Sequence, residues 1–228
     1  MCYNKESSLS VFLGASAVIG VLWYRNYPND RFMAIVAFSI VAMQLIEYFM
    51  WSDQGCGMMN HVATLFGALL LIAQPLVIIL AARQYRNTLA PDAVLRVGQW
   101  LYGGALAYYF LRLVVFDRRR HCTRPSSAGH LNWDFSLIDG HTTTAHGFAM
   151  WIMYFVPFFL LLFIKDRVYG VAIFAVLFVL LLFTLNKSRY MEKVASDSWR
   201  SLWCFLCNSL PLVVVMLGYV RRDASLRK

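Results

Sequence analysis

Seven apolar stretches of membrane-spanning length alternate with short polar breaks along the chain. They run near 8–24, 31–51, 60–82, 91–116, 144–164, 168–185 and 198–219. A spanning helix needs about 20 mostly apolar residues. Backbone groups facing lipid have no water to bond, so such stretches must close their hydrogen bonds internally as helices. The third, fifth and sixth hold no Lys, Arg, Asp or Glu. The breaks carry turn and capping residues. Pro28 lies in the first break, with Asp30 placed to cap the second helix. Pro91 and Asp92 open the fourth, Thr142 to Thr144 the fifth, and Asp197 and Ser198 the seventh. Trp23, Trp51, Trp100, Trp199 and Trp203 fall near the predicted ends, as an interfacial aromatic belt requires. The pattern predicts an all-α membrane protein, a seven-transmembrane helix bundle.

Composition agrees. The 228 residues are 60% hydrophobic and 14% charged, against roughly 45–50% and about 25% in soluble domains. That excludes a soluble globule, a disordered chain and a disulfide-stapled miniprotein. One bundle (1–228) is expected, with no soluble domain appended. The first stretch lacks the basic flank and small-residue cleavage site of a signal peptide, so it is read as the first span.

Seven spans put the termini on opposite sides. The breaks after spans 1, 3 and 5 plus the C-terminal tail hold eleven cations, and the other side holds nine, with Arg112 inside a span left out. The bias places the C-terminus in the cytoplasm and the N-terminus outside or in a lumen. Cys2, Cys56 and Cys122 fall on the N-terminal side, and Cys204 lies about one turn into span 7 from it. Disulfides belong to oxidising compartments, so these four are disulfide candidates, with Cys56–Cys122 favoured because it joins two loops. Free thiols remain the alternative. Asn186-Lys187-Ser188 is a glycosylation sequon on the same side. The expected location is an integral, multi-pass one, in a plasma, endomembrane or viral membrane.

Charges inside spans are costly and face the bundle interior or water. At about 1.5 Å per residue, Glu47 lies roughly 6 Å and Gln44 roughly 10 Å below the outer end of span 2, and Arg112 roughly 7 Å below that of span 4. His61 and His146 enter spans 3 and 5 from the same side, and Asn208 lies deeper in span 7. Gln44 and Glu47 are three apart, so both can point into one cavity. Glu47, Gln44, Arg112, His146 and Asn208 thus form the candidate ligand- or ion-binding layer, open outward. The alternative is a structural Glu47–Arg112 ion pair. Gln74 and Pro75 mark a break in span 3, because proline frees a carbonyl one turn back; a tolerated kink is the favoured reading, and a hinge or substrate contact the alternative. Ser16-x3-Gly20 and Gly103-x3-Ala107 are small-residue packing faces.

The long outer loop, 118–141, begins with a basic run and continues with period-two alternation over 131–137, which suggests a short strand or a lid over the bundle mouth. Its His121, Cys122, His130 and His141 lack metal-ligand spacing, so no metal and no cofactor are expected.

The segments Met1-Cys2-Tyr3-Asn4, Met43-Gln44-Leu45-Ile46-Glu47-Tyr48, Trp51-Ser52-Asp53-Gln54 and Ser201-Leu202-Trp203-Cys204 resemble an uncharacterised family of small polytopic membrane proteins of large DNA viruses, algae and microbes. The resemblance implies no activity; it places Cys2, Gln44, Glu47 and Cys204 among motif positions. Rhodopsins are similar in helix count only. No lysine lies in span 7, so retinal has no Schiff-base partner. The expected function is binding or conducting a small solute or ion through the outward cavity, without catalysis. An assembly scaffold without transport and a membrane-embedded lipid-modifying enzyme are the alternatives. Expected partners are the lipid bilayer and a small solute or ion, with a homo-oligomer as an option and no nucleic acid.

Overall fold

A computed structural model describes residues 4–116, 120–126, 129–133, 152–191, 203–204 and 206–226. Helices α1 (Lys5–Arg25), α2 (Asp30–Ser52), α3 (Met58–Tyr85) and α4 (Asp92–Phe110) form an up-and-down series. A π-helical turn, Leu111–Phe116, extends α4. A two-residue hairpin follows, β1 (Arg124–Pro125) antiparallel to β2 (Leu131–Asn132). A 3-10 segment (Val156–Phe163), α5 (Arg167–Met191) and α6 (Leu210–Leu226) complete the described chain. Among the described residues, four helices are long and apolar enough to cross a membrane: Lys5–Arg25, Asp30–Ser52, Met58–Tyr85 and Arg167–Thr184.

Some predicted spans change character. The described part of span 5 is a short apolar helix, Ile152–Phe163, that is mostly 3-10. Pro157 near its start cannot donate to an α ladder. Span 7 is interrupted: residues 203–204 and 206–207 are helical, Asn208 and Ser209 form a turn, and α6 begins at Leu210. Pro75 lies inside a continuous α3. The predicted cap of α2 is also corrected. Asn29, with φ of 74°, is the N-cap, and Asp30 is the first helical residue.

The core runs along α2. It buries Phe32, Met33, Val36, Ala37, Ile40, Val41, Met43 and Met50, packing against α1 on one side and α3 on the other. Gly67 permits the close approach of α3, because a Cβ there would stand 3.0 Å from the terminal carbons of both Met43 and Met50. α1 is peripheral and buries only Ser8, Ile19 and Leu22. At the end opposite the hairpin, the α3–α4 turn is stitched to the 3-10 segment. Leu89 N–H donates to Phe163 C=O (2.6 Å), and Lys165 N–H donates to Asn87 C=O (2.8 Å).

Candidate functional site

Gln44 and Glu47 stand one turn apart on the buried face of α2, both with 0% exposure. Gln44 Nε2 donates to Glu47 Oε2 at 3.1 Å. A carboxylate without water is stabilised only by such donors, and spacing by three places this one beside it. The structure therefore brings these two predicted residues together.

Arg112 lies in the π-helical turn that extends α4 and is half-buried. The ion pairs among the described residues are Lys5–Glu6, Arg25–Asp30, Arg83–Asp92 and Arg96–Asp92, and Glu47–Arg112 is not one of them. Asn208 is buried at the turn before α6, and its Nδ2 donates to Cys204 C=O at 2.6 Å. His146 and Cys2 lie outside the described residues, as do His141 and most of the alternating stretch over 131–137.

Toward the α2–α3 turn the polar groups form a cap. Cys56 and Cys122 are joined by a disulfide with Cα atoms 5.3 Å apart, the pairing favoured from their shared side. Cys204, the other described candidate, is a buried thiol beside Cys207. His121 N–H donates to His61 Nδ1 at 3.0 Å, and the two rings lie parallel with centroids 5.9 Å apart. No group of three or more His, Cys, Asp or Glu side chains suited to a metal occurs among the described residues.

The hub of this cap is Asn60, which the sequence reading passed over as the first residue of a span. Its Oδ1 accepts from Thr123 N–H (2.8 Å) and Thr64 Oγ1 (3.2 Å). Its Nδ2 reaches the carbonyls of Met50, Asp53 and Thr123 at 3.1, 3.0 and 2.9 Å. Asp53 accepts the N–H groups of Gly57 and Asn60, which starts α3. These donors, Asn60 first, hold the Asp53 carboxyl below its ordinary range. The available signal was an Asp and an Asn seven apart, flanking a cysteine at a helix boundary.

Two further polar clusters lie away from the cap. In mid-bundle, Gln74 Nε2 donates to Ser39 C=O (3.1 Å), and Tyr154 OH donates to Gln74 Oε1 (2.6 Å). At the opposite end, Arg25 and Asp30 form a buried, two-pronged ion pair, with Nε to Oδ2 and Nη2 to Oδ1 both at 2.8 Å.

Described residues wall cavities away from Gln44 and Glu47. A small one, about 30 Å³, touches Leu71, Pro75, Tyr102, Tyr109 and Tyr154; a larger one, about 160 Å³, lies between the 3-10 segment and α5. Neither has Gln44 or Glu47 in its wall. Comparison with protein-family models, with curated proteins and with solved structures returns no match.

Proposed function

We propose that this chain is a seven-span membrane protein that binds or passes a small solute or ion along α2 and α3, with Glu47 as the charge-bearing group. The observation that carries this reading is a fully buried carboxyl held by a neighbouring amide within a helix of spanning length. Ionisable groups at such depth mark ion or substrate pathways. Polar groups recur along the same two helices. Asn60 and Thr64 stand at the cap, Gln44 and Glu47 below it, and Ser39 and Gln74 below those. The steps along α2 are roughly 5 Å from Glu47 to Gln44 and roughly 8 Å from Gln44 to Ser39, short enough to hand on a small ion. With both Gln44 and Glu47 at 0% exposure, the arrangement suits an occluded state, and passage requires the cap to open. The Cys56–Cys122 disulfide favours an oxidising compartment at the cap end, which supports the reading with the N-terminus outside and the C-terminus in the cytoplasm.

The test is ion and proton flux from proteoliposomes at several pH values, for the native chain and for Glu47→Gln. The reading predicts a pH-dependent flux that Glu47→Gln abolishes. Flux that Glu47→Gln leaves unchanged, pH dependence included, removes Glu47 from the mechanism.

The cap supports a second reading, an assembly scaffold. The disulfide and the Asn60 hub fasten residues 120–123 rigidly to the α2–α3 turn, as a docking surface requires. Absence of flux under every condition, with a partner captured through the cap, favours that reading.

A further inference from the structure

The 160 Å³ cavity is separate from the polar helices. Its wall is hydrocarbon: Phe155, Phe158 and Phe159 from the 3-10 segment and its lead-in, Phe174 and Phe178 from α5, and Trp203, with two leucines. The rings interlock, Phe159 against Phe174 at 5.1 Å and Phe155 against Trp203 at 5.8 Å. An apolar cavity of this size stays dry and accepts a hydrocarbon about as large as benzene. Phe159 and Phe178 are half exposed, so it opens sideways to whatever surrounds the bundle. Trp203, expected in an interfacial belt, is instead 5% exposed in this wall.

The two walls meet at a charged turn. Lys165 and Arg167 are exposed there, and exposed Arg86 lies on the adjoining α3–α4 turn, tied to it through the bond from Lys165 N–H to Asn87 C=O. None of these three cations enters an ion pair among the described residues. Asp166, between them, turns its carboxylate back onto the Tyr169 N–H. From Arg167 the α5 wall of the cavity begins roughly 10 Å away at Phe174 and ends roughly 21 Å away at Leu181. That range falls in the middle of a hydrocarbon layer about 30 Å thick. A cationic surface turn with an apolar slot beneath it, at acyl-chain depth, has the layout of a phospholipid.

We propose that the turn and the cavity together bind one anionic phospholipid, with its phosphate against Lys165, Arg167 and Arg86 and a segment of one acyl chain among the phenylalanines. The site rests on the reading that the chain lies in a bilayer, and it is independent of any transport role.

The test uses the full chain in phosphatidylcholine vesicles carrying a minor fraction of either phosphatidylglycerol or phosphatidylcholine with brominated acyl chains. Bromine quenches a tryptophan it touches, and Trp203's share of emission is the difference between the native chain and Trp203→Phe. Brominated phosphatidylglycerol should quench that share at a much lower mole fraction than brominated phosphatidylcholine does. Lys165→Gln and Arg167→Gln should each shrink the preference about fivefold, the contribution of one cation near an anionic surface. Both lie on the surface and leave the core intact. Leu181→Phe, which fills the slot, should protect Trp203 from both lipids. Equal quenching by the two lipids overturns the proposal, as does a preference that survives both charge changes, or quenching that Leu181→Phe does not reduce. If no tryptophan is quenched at all, the bilayer reading fails along with the site.

Discussion

Asp30→Ala should be among the most damaging single changes outside the polar centre. Asp30 is 2% exposed and Arg25 8%. Arg25 uses all three nitrogens: Nε and Nη2 on Asp30 at 2.8 Å, and Nη1 on the Val215 carbonyl of α6 at 2.9 Å. Its guanidinium also stacks 4.6 Å from the Tyr27 ring and 5.3 Å from that of Tyr219. Removing the carboxylate leaves a buried cation with one carbonyl acceptor, and breaking a buried pair from one side costs about 3–5 kcal/mol. Arg25→Ala should cost less, about 3 kcal/mol, because Asp30 keeps the Tyr27 N–H at 2.9 Å and the favourable end of α2. The double variant should be little worse than Asp30→Ala, which implies a coupling energy of about 2–3 kcal/mol. Gly218→Ala should mimic Arg25→Ala, since its Cβ would stand 2.5 Å from Arg25 Nη2. The assay is an SDS titration in mixed micelles, followed by helical circular dichroism. Additive single changes, or a cost below about 1 kcal/mol for Asp30→Ala, would show that the pair is no more than a surface contact and refute the reasoning.

Three further outcomes follow from the cap. Asn60→Ala orphans several buried partners at about 1–3 kcal/mol each, so it should destabilise the protein by about 3 kcal/mol in the same titration, well beyond Thr64→Val; equal effects would remove Asn60 as the hub. Cys56→Ser should cost at most about 4 kcal/mol, the loop-closure value for a separation of 66 residues, and adding Cys122→Ser should cost nothing more; dithiothreitol failing to shift the native midpoint would contradict this. Burial pushes His130 below its ordinary pKa. A folded pKa below the unfolded one means the unfolded chain binds more protons, so this contribution is complete above about pH 6.5 and fades as pH falls through the folded value. Amide exchange over 120–133 should therefore speed up on acidification, and a rate that is flat after correction for intrinsic exchange would refute it.

The parts of the fold legible in the sequence are those that depend on length and apolarity. Spans predicted at 8–24, 31–51 and 60–82 emerge as Lys5–Arg25, Asp30–Ser52 and Met58–Tyr85. The span count puts Cys56 and Cys122 in two loops at one end, which favours the disulfide they form without excluding free thiols or the other cysteines of that end. Hydropathy does not distinguish 3-10, α and π windings of the same apolar residues, so Val156–Phe163 and Leu111–Phe116 looked like ordinary span. Depth arithmetic gave Glu47 and Arg112 a common height but carried no direction around the helix axis. Gln44 and Glu47 were legible because a spacing of three fixes direction within one helix. The Arg25–Asp30 clasp was hidden because both residues read plausibly as something simpler, one a loop cation and the other a helix cap.

Passage along α2 requires water to reach its buried polar pair. A single reporter cysteine at Gln44, in a chain freed of Cys2, Cys204 and Cys207 but keeping the Cys56–Cys122 disulfide, measures this in sealed vesicles with a charged, membrane-impermeant thiol reagent applied to either face. Reaction from the face bearing the disulfide, slowed by the transported ion, is the predicted result. A cysteine that reacts from neither face under any ionic condition, while one placed at exposed Arg86 reacts readily, would contradict it.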